Sequence, residues 1–162
     1  MMGILLLVLT SSSVGFLEAY KLRLRVEYLE RFLQFIRAVQ TEIQFSAFPV
    51  RQLVARHREE LKLFDLCDQF CSQGEEFPQA WQKASVQGTK GNGLTKKEIQ
   101  MMAEFGAGLG NTGIAGQISH CELAAQLFQT QLEEARQEKG KKSKLYAMLG
   151  IFSGTAMALV IS

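Results

Sequence analysis

Charge stops abruptly at both ends of this chain. Residues 1–17 (MMGILLLVLTSSSVGFL) and 145–162 (LYAMLGIFSGTAMALVIS) contain no Lys, Arg, Asp, Glu or His, and every such residue lies from Glu18 to Lys144. The hydrocarbon core of a bilayer is about 30 Å thick, and a helix needs roughly 17 to 25 predominantly apolar residues to cross it. Both end segments meet the short limit of that range. They are read as an N-terminal transmembrane helix (1–17) and a C-terminal transmembrane helix (145–162), with one domain (18–144) held between them. The middle stretch is long enough to build its own core.

Basic residues set the orientation. Lys21, Arg23 and Arg25 follow the first segment, and Lys139, Lys141, Lys142 and Lys144 precede the second. Positive flanks mark the cytoplasmic side. The sequence therefore predicts a cell-membrane protein with a cytoplasmic domain and both termini on the far side. A cleaved secretory signal normally carries its basic residues ahead of the apolar run, and none is present there. A processed, secreted chain with a C-terminal anchor is the weaker alternative. The net charge of +2 makes no case for nucleic acid. In the second end segment Gly150 and Gly154 form GxxxG, and Ala158 extends the small face; Ser11 and Gly15 make a similar face in the first. Small faces let helices approach closely in lipid, although glycine is also an ordinary residue of membrane helices.

The middle reads as all-α. Leu22, Val26, Leu29, Leu33, Ile36 and Ile43 recur at four-three spacing, with Gln40 interrupting, and Phe32, Phe35 and Val39 widen the stripe. A stripe that broad belongs to a helix facing a bundle core. No breaker separates it from the first end segment except Gly15, so one long helix is predicted, ending before Pro49. A second helix is predicted over about 50–72, with Val50, Leu53, Val54, Leu61, Phe64 and Cys67 on one face and Arg58, Glu59 and Glu60 in solvent. A short helix surrounds Trp81, the only tryptophan, as a core anchor. Thr95 with Glu98 three residues on spells a capping box that opens a helix running to about Leu109. Ile114, Ile118, Cys121, Ala125, Phe128, Leu132 and Ala135 define the last helix, suited to packing on the first. The expectation is a bundle of about five to six helices.

Motifs that suggest chemistry dissolve on inspection. GTKGNG at 88–93 holds a lysine among glycines but lacks GxxxxGK[ST] and a preceding strand, so it reads as a connector. Gly108 to Gly113 matches GxGxxG, yet a dinucleotide site needs a βαβ unit around it, and the flanks here read as helices. Cys67 and Cys71 share a helix face, but a metal site would need further ligands, from His57, His120 or Cys121, and no zinc-type spacing occurs. Buried apolar cysteine is the plain reading. No nucleophile elbow, HExxH or Walker motif is present. The expectation is a non-enzyme without cofactor or metal.

Taken together, the motifs resemble the stage III sporulation protein AB family of endospore-forming bacteria. The resemblance rests on Thr41-Glu42-Ile43-Gln44-Phe45 followed by Pro49, the Ala80-Trp81 pair, Leu109-Gly110, Gln117, Ala135 and Leu149-Gly150. It covers nearly the whole chain. The soluble part of that family is similar to the cytoplasmic domains of the type II secretion F protein and the type IV pilus platform protein, which work beside a hexameric ATPase. The resemblance thus implies a helical bundle, residence in the mother-cell membrane, a place in the forespore channel complex, and other stage III proteins as partners, including the AA ATPase. It leaves self-association open. The family usually has an Asp soon after Leu-Gly, where this chain has Gly113; if that Asp caps the last helix, its absence weakens the cap by about 1 kcal/mol.

The resemblance and the reading of the residues point to a membrane platform. Its docking candidates are the corner from Glu42 to Pro49 and the turn from Gly108 to Gln117, with Glu42, Pro49, Gly110 and Gln117 as the named residues, because loops on a rigid scaffold carry function. The plainer role for Glu42 is an ion pair with a nearby base, and for Gln117 a bond to the turn backbone. The competing function is a small membrane-anchored regulator or ligand sensor.

Overall fold

The long apolar stripe of the first helix runs without a proline, and the helix it forms is unbroken. Helix α1 spans Met2–Phe45. It is followed by α2 (Val50–Arg56), α3 (Lys62–Ser72), α4 (Phe77–Gly88), α5 (Lys96–Gly108) and α6 (Ile114–Ile161). This computed structural model describes the backbone of residues 2–45 and 49–161, and side-chain surroundings for 17–45, 49–145 and 148. The described residues form six helices and no strand, as the periodicity indicated. No helix among the described residues is long and apolar enough to cross a membrane. The side chains of most of the two apolar end segments, including Gly150, Gly154 and Ala158, lie outside that description.

Helices α1 and α6 form an antiparallel stem. Lys142 meets Glu18 at 3.3 Å, Arg25 meets Glu138 at 2.7 Å, and Arg136 meets Glu30 at 2.7 Å. Farther along, Arg37 donates to Gln129 at 3.2 Å and Gln40 to Glu122 at 3.3 Å. Numbers rise on one helix as they fall on the other. Arg25 is buried, but the other pairs are exposed and contribute about 0 to 1 kcal/mol each, so those report the register rather than set it. The apolar side chains beneath them set it: Leu29, Phe32, Ile36 and Val39 of α1 face Cys121, Phe128, Leu132 and Ala135 of α6 in the buried core.

Helices α2 to α5 wrap one side of the stem, α3 against α4, α4 against α5, and α5 against α6. Their aromatic residues converge on Phe32. Its ring lies 6.2 Å from Phe64 of α3, 6.4 Å from Trp81 of α4, 5.8 Å from Phe105 of α5 and 4.8 Å from Phe128 of α6. Trp81 is fully buried, and its indole N–H donates to the Met102 carbonyl at 2.8 Å. It is the core anchor the sequence suggested.

One helix differs from expectation. The segment 50–72 is two helices, not one. His57 ends α2, with its N–H bonded to the Val54 carbonyl, and the Glu60 N–H returns to the His57 carbonyl at 2.9 Å. Leu61 then adopts an extended conformation and buries its side chain before α3 begins. No Gly or Pro marks the break. Arg58, Glu59 and Glu60 are exposed and have no core contact to lose, whereas Leu61, Leu63, Phe64 and Cys67 directly after them are buried. Tertiary packing overrides local propensity here.

The Thr95 capping box forms as read. The Thr95 hydroxyl accepts from the Glu98 N–H at 3.2 Å, and the Glu98 carboxylate accepts from the Thr95 N–H at 2.7 Å. The same carboxylate, fully buried, takes two bonds from Arg25 Nε at 2.9 and 3.2 Å and lies 2.8 Å from Nη2. Burial works against the charge on Arg25, but hydrogen bonds and attraction from Glu98 and Glu138 outweigh it and hold the guanidinium above its ordinary pKa. One buried guanidinium therefore joins α1, α5 and α6.

The three cysteines are all buried. Burial, reinforced by the neighbouring Cys71, holds the Cys67 thiol well above its ordinary range, and burial pushes Cys121 up to about 11. Thiols held neutral in this way are poor nucleophiles and poor ligands. No group of three or more His, Cys, Asp or Glu among the described residues could hold a metal ion.

Candidate partner-docking surface

The antiparallel stem separates the ends of the molecule. Both apolar segments leave from one end. The corner after α1 and the turn before α6 lie at the other, because Phe45 closes α1 where Ile114 opens α6.

Each corner is built by local chemistry. Pro49 precedes α2, and its carbonyl accepts from the N–H groups of Gln52 (2.9 Å) and Leu53 (3.3 Å). Proline fits a helix entrance, where a missing N–H costs nothing. At the end of α5, Gly110 has φ +83°, the left-handed conformation that ends many helices and favours glycine. The Asn111 side chain donates to the Ala107 carbonyl at 2.6 Å, satisfying an end of α5. GxGxxG is therefore a helix–turn–helix junction with no strand before it, as the sequence reading held. The two corners are neighbours: a Cβ on Gly110 would sit 3.8 Å from the Val50 side chain.

The four named candidates occupy different environments. Pro49 and Gly110 are exposed. Glu42 is partly covered and pairs with Arg56 at 3.2 Å, tying α1 to α2. Gln117 is buried, only 5% exposed. Its amide N–H group reaches the Thr112 hydroxyl at 3.2 Å and the Thr112 carbonyl at 3.3 Å. Gln117 thus braces the turn from inside, leaving its own Oε1 buried without a partner among the described residues. His120 adds to the brace: its ring stacks on Phe105 with centroids 5.3 Å apart, and Nε2 bonds the Phe105 carbonyl at 2.8 Å.

Sequence reasoning missed the apolar surface at this end. Phe45 is 78% exposed and Ile114 61% exposed. Ile114 fits the core stripe of α6 by spacing, but it lies in a run, residues 110–116, that is exposed throughout. Phe45 lies two residues past Ile43, the last residue of α1 packed on the core. Its place in the TEIQF run was visible, its exposure was not. Both are large apolar side chains left exposed at the end of the stem that carries the braced turn.

Gly113 stands where the helix-capping residue of α6 belongs, since its carbonyl accepts from the Gln117 N–H at 2.9 Å. Its φ is not in the left-handed region, and a side chain would meet nothing within 4 Å. Gly113→Asp is expected to stabilise the chain by about 0.5 to 1 kcal/mol, through a few tenths from the cap, the favourable charge at a helix start, and the lower entropy of the unfolded chain. A rise in melting temperature of a few degrees in detergent checks this, and a fall would show that the turn needs glycine.

Comparison with known proteins agrees with this architecture. The family model described as stage III sporulation protein AB matches residues 1–162. Among solved structures the chain is similar to one described as Stage III sporulation protein AB (SpoIIIAB), with a TM-score of 0.63 at 18% sequence identity, covering 75% of this chain and 98% of that one. At that identity the likeness speaks to the fold. No curated protein sequence matches. A match along every residue, together with a shared helical fold, places this chain in the stage III sporulation protein AB family.

Proposed function

We propose that this stage III sporulation protein is a non-enzymatic platform in the mother-cell membrane around the forespore, docking a secretion-type ATPase, the AA protein, on its exposed end. In this reading the end segments form a membrane hairpin and the helical domain stands in the mother-cell cytoplasm. The observation that carries it is the antiparallel stem. Helices α1 and α6 each continue into an uncharged terminal segment, so both chain ends leave from one side while the corners around Glu42 and Gly110 stand at the other. A platform needs that division, an anchoring end and a docking end joined by a stiff strut. Positive flanks at Lys21, Arg23, Lys139 and Lys142 support cytoplasmic placement of the domain.

The test is recovery of partners from detergent-solubilised sporulating cells. Glu42→Ala and Phe45→Ser change exposed or partly covered side chains and are expected to leave helicity and membrane insertion intact while lowering recovery of the ATPase about tenfold or more, the loss of an interface anchor. Gln117→Ala belongs in a different class, since it removes the brace of the turn; its effect on binding is expected to come with a lower melting temperature. Full recovery with folded Glu42→Ala and Phe45→Ser variants would move the docking face elsewhere.

A further inference from the structure

We propose that the anchoring end of the domain is itself a docking surface for anionic phospholipid, with the α4–α5 loop as a contact separate from the stem. The inference rests on the reading that the end segments enter a membrane, and it names what the domain does at the surface of that membrane.

Two features converge there. The first is a groove of about 240 Å³ between α1 and α6, with Ala19 and Leu22 as its apolar floor and Arg23, Lys139, Lys142 and Ser143 around it. Arg23 and Lys139 form no ion pair among the described residues. An apolar floor beneath unpaired cations suits a headgroup phosphate with its glycerol carbons below.

The second feature is the loop. Gly93 has φ +70° and lies so close to the stem that a Cβ would collide with the Lys21 carbonyl. This close approach holds Gly93 at the level of Lys21, four residues or about 6 Å along the helix from Leu17, with Asn92 beside Leu24 and Glu27. The loop and the first turn of α5 thereby bring exposed Lys90, Lys96 and Lys97 alongside the basic residues of the stem. None of the three forms an ion pair among the described residues, whereas the neighbouring carboxylates are engaged: Glu18 with Lys21 and Lys142, Glu98 and Glu138 with Arg25. The end from which the apolar segments emerge is therefore strongly positive on more than one side. Clusters of four to eight basic residues next to a membrane segment bind anionic lipid, within a screening length of about 8 to 10 Å. A bulky acidic protein would have to share this space with the bilayer, so lipid is the fitting occupant.

The test uses the full chain. Flotation with phosphatidylcholine vesicles first reads insertion of the end segments, which does not need lipid charge. Hydrogen exchange is then compared in phosphatidylcholine and phosphatidylglycerol nanodiscs. Amides of residues 89–97 are expected to exchange several-fold more slowly in phosphatidylglycerol, with the difference removed by high salt and by Lys90→Gln/Lys96→Gln/Lys97→Gln in a chain that still inserts. Flotation with both lipids but equal exchange overturns the proposal and leaves the membrane reading standing. The same holds if protection appears only on adding poly-glutamate, which would point to an acidic protein partner. Flotation with phosphatidylglycerol vesicles alone, reversed by salt, supports the lipid surface and overturns the membrane hairpin. No flotation with either lipid overturns both.

Discussion

Phe32→Ala is expected to destabilise this domain by about 3 to 5 kcal/mol, the range for truncating a buried aromatic side chain. Phe32 is completely buried, and its ring neighbours come from α3, α4, α5 and α6, with Phe35 of its own helix 6.1 Å away. Phe35 has ring neighbours from α3, α4 and α5, and Phe32 adds α6 to these, so that five helices meet at its ring. A cavity at such a junction closes poorly, because relaxing any one helix into it strains contacts with the others. Phe32→Leu keeps most of the volume and is expected to cost about 1 to 2 kcal/mol, from lost ring contacts and imperfect shape. Denaturant unfolding of the full chain in detergent, followed by helical circular dichroism, measures both. A Phe32→Ala loss below about 1 kcal/mol would show that the cluster rearranges freely and that no single ring organises it.

The contrast between these residues shows which physical signals a sequence carries. Phe32 was legible as core, since it lies within the α1 stripe, but its role as the junction of five helices was not. That role depends on where α3, α4, α5 and α6 are placed, and periodicity within one helix holds no such information. Thr95 and Glu98 are the reverse case. Their capping box is local, three residues apart, and was legible in full; the bond from Glu98 to Arg25 crosses 73 residues and left no local trace. The break at 57–61 was missed because no Gly or Pro enforces it, and Leu61 turns inward only because the core is there to receive it. At the end of the stem away from the apolar segments, Gln117 and Gly110 were legible as turn chemistry. The exposed Ile114 was not, because spacing gives the direction of a side chain but not whether a neighbouring element covers it. The Lys90, Lys96 and Lys97 cluster had no link to the stem in sequence; the close approach of Gly93 to Lys21 supplies it.

Glu98→Gln is expected to destabilise the domain by about 3 kcal/mol, the low end of the range for removing one partner of a buried ion pair. Two features argue for the low end. Glutamine can still serve the capping box, so the start of α5 keeps its Thr95 bond. Arg25 also retains Glu138 at 2.7 Å, so the stranded guanidinium is not wholly uncompensated. Arg25→Met is expected to cost a similar amount, because it leaves the fully buried Glu98 carboxylate without a cation. The double variant Arg25→Met/Glu98→Gln buries no charge at this site. It is expected to be clearly more stable than the sum of the two single losses, since a buried pair can be replaced by neutral side chains at far lower cost than it can be broken. The pair is shielded from solvent, so these losses should persist at high ionic strength, whereas the exposed Arg31–Glu27 pair should lose what little it contributes. Single losses that simply add, or that vanish in salt, would reduce Arg25 and Glu98 to ordinary surface charges. Coupling that survives salt would make them the lock that holds α5, and the basic loop before it, against the stem.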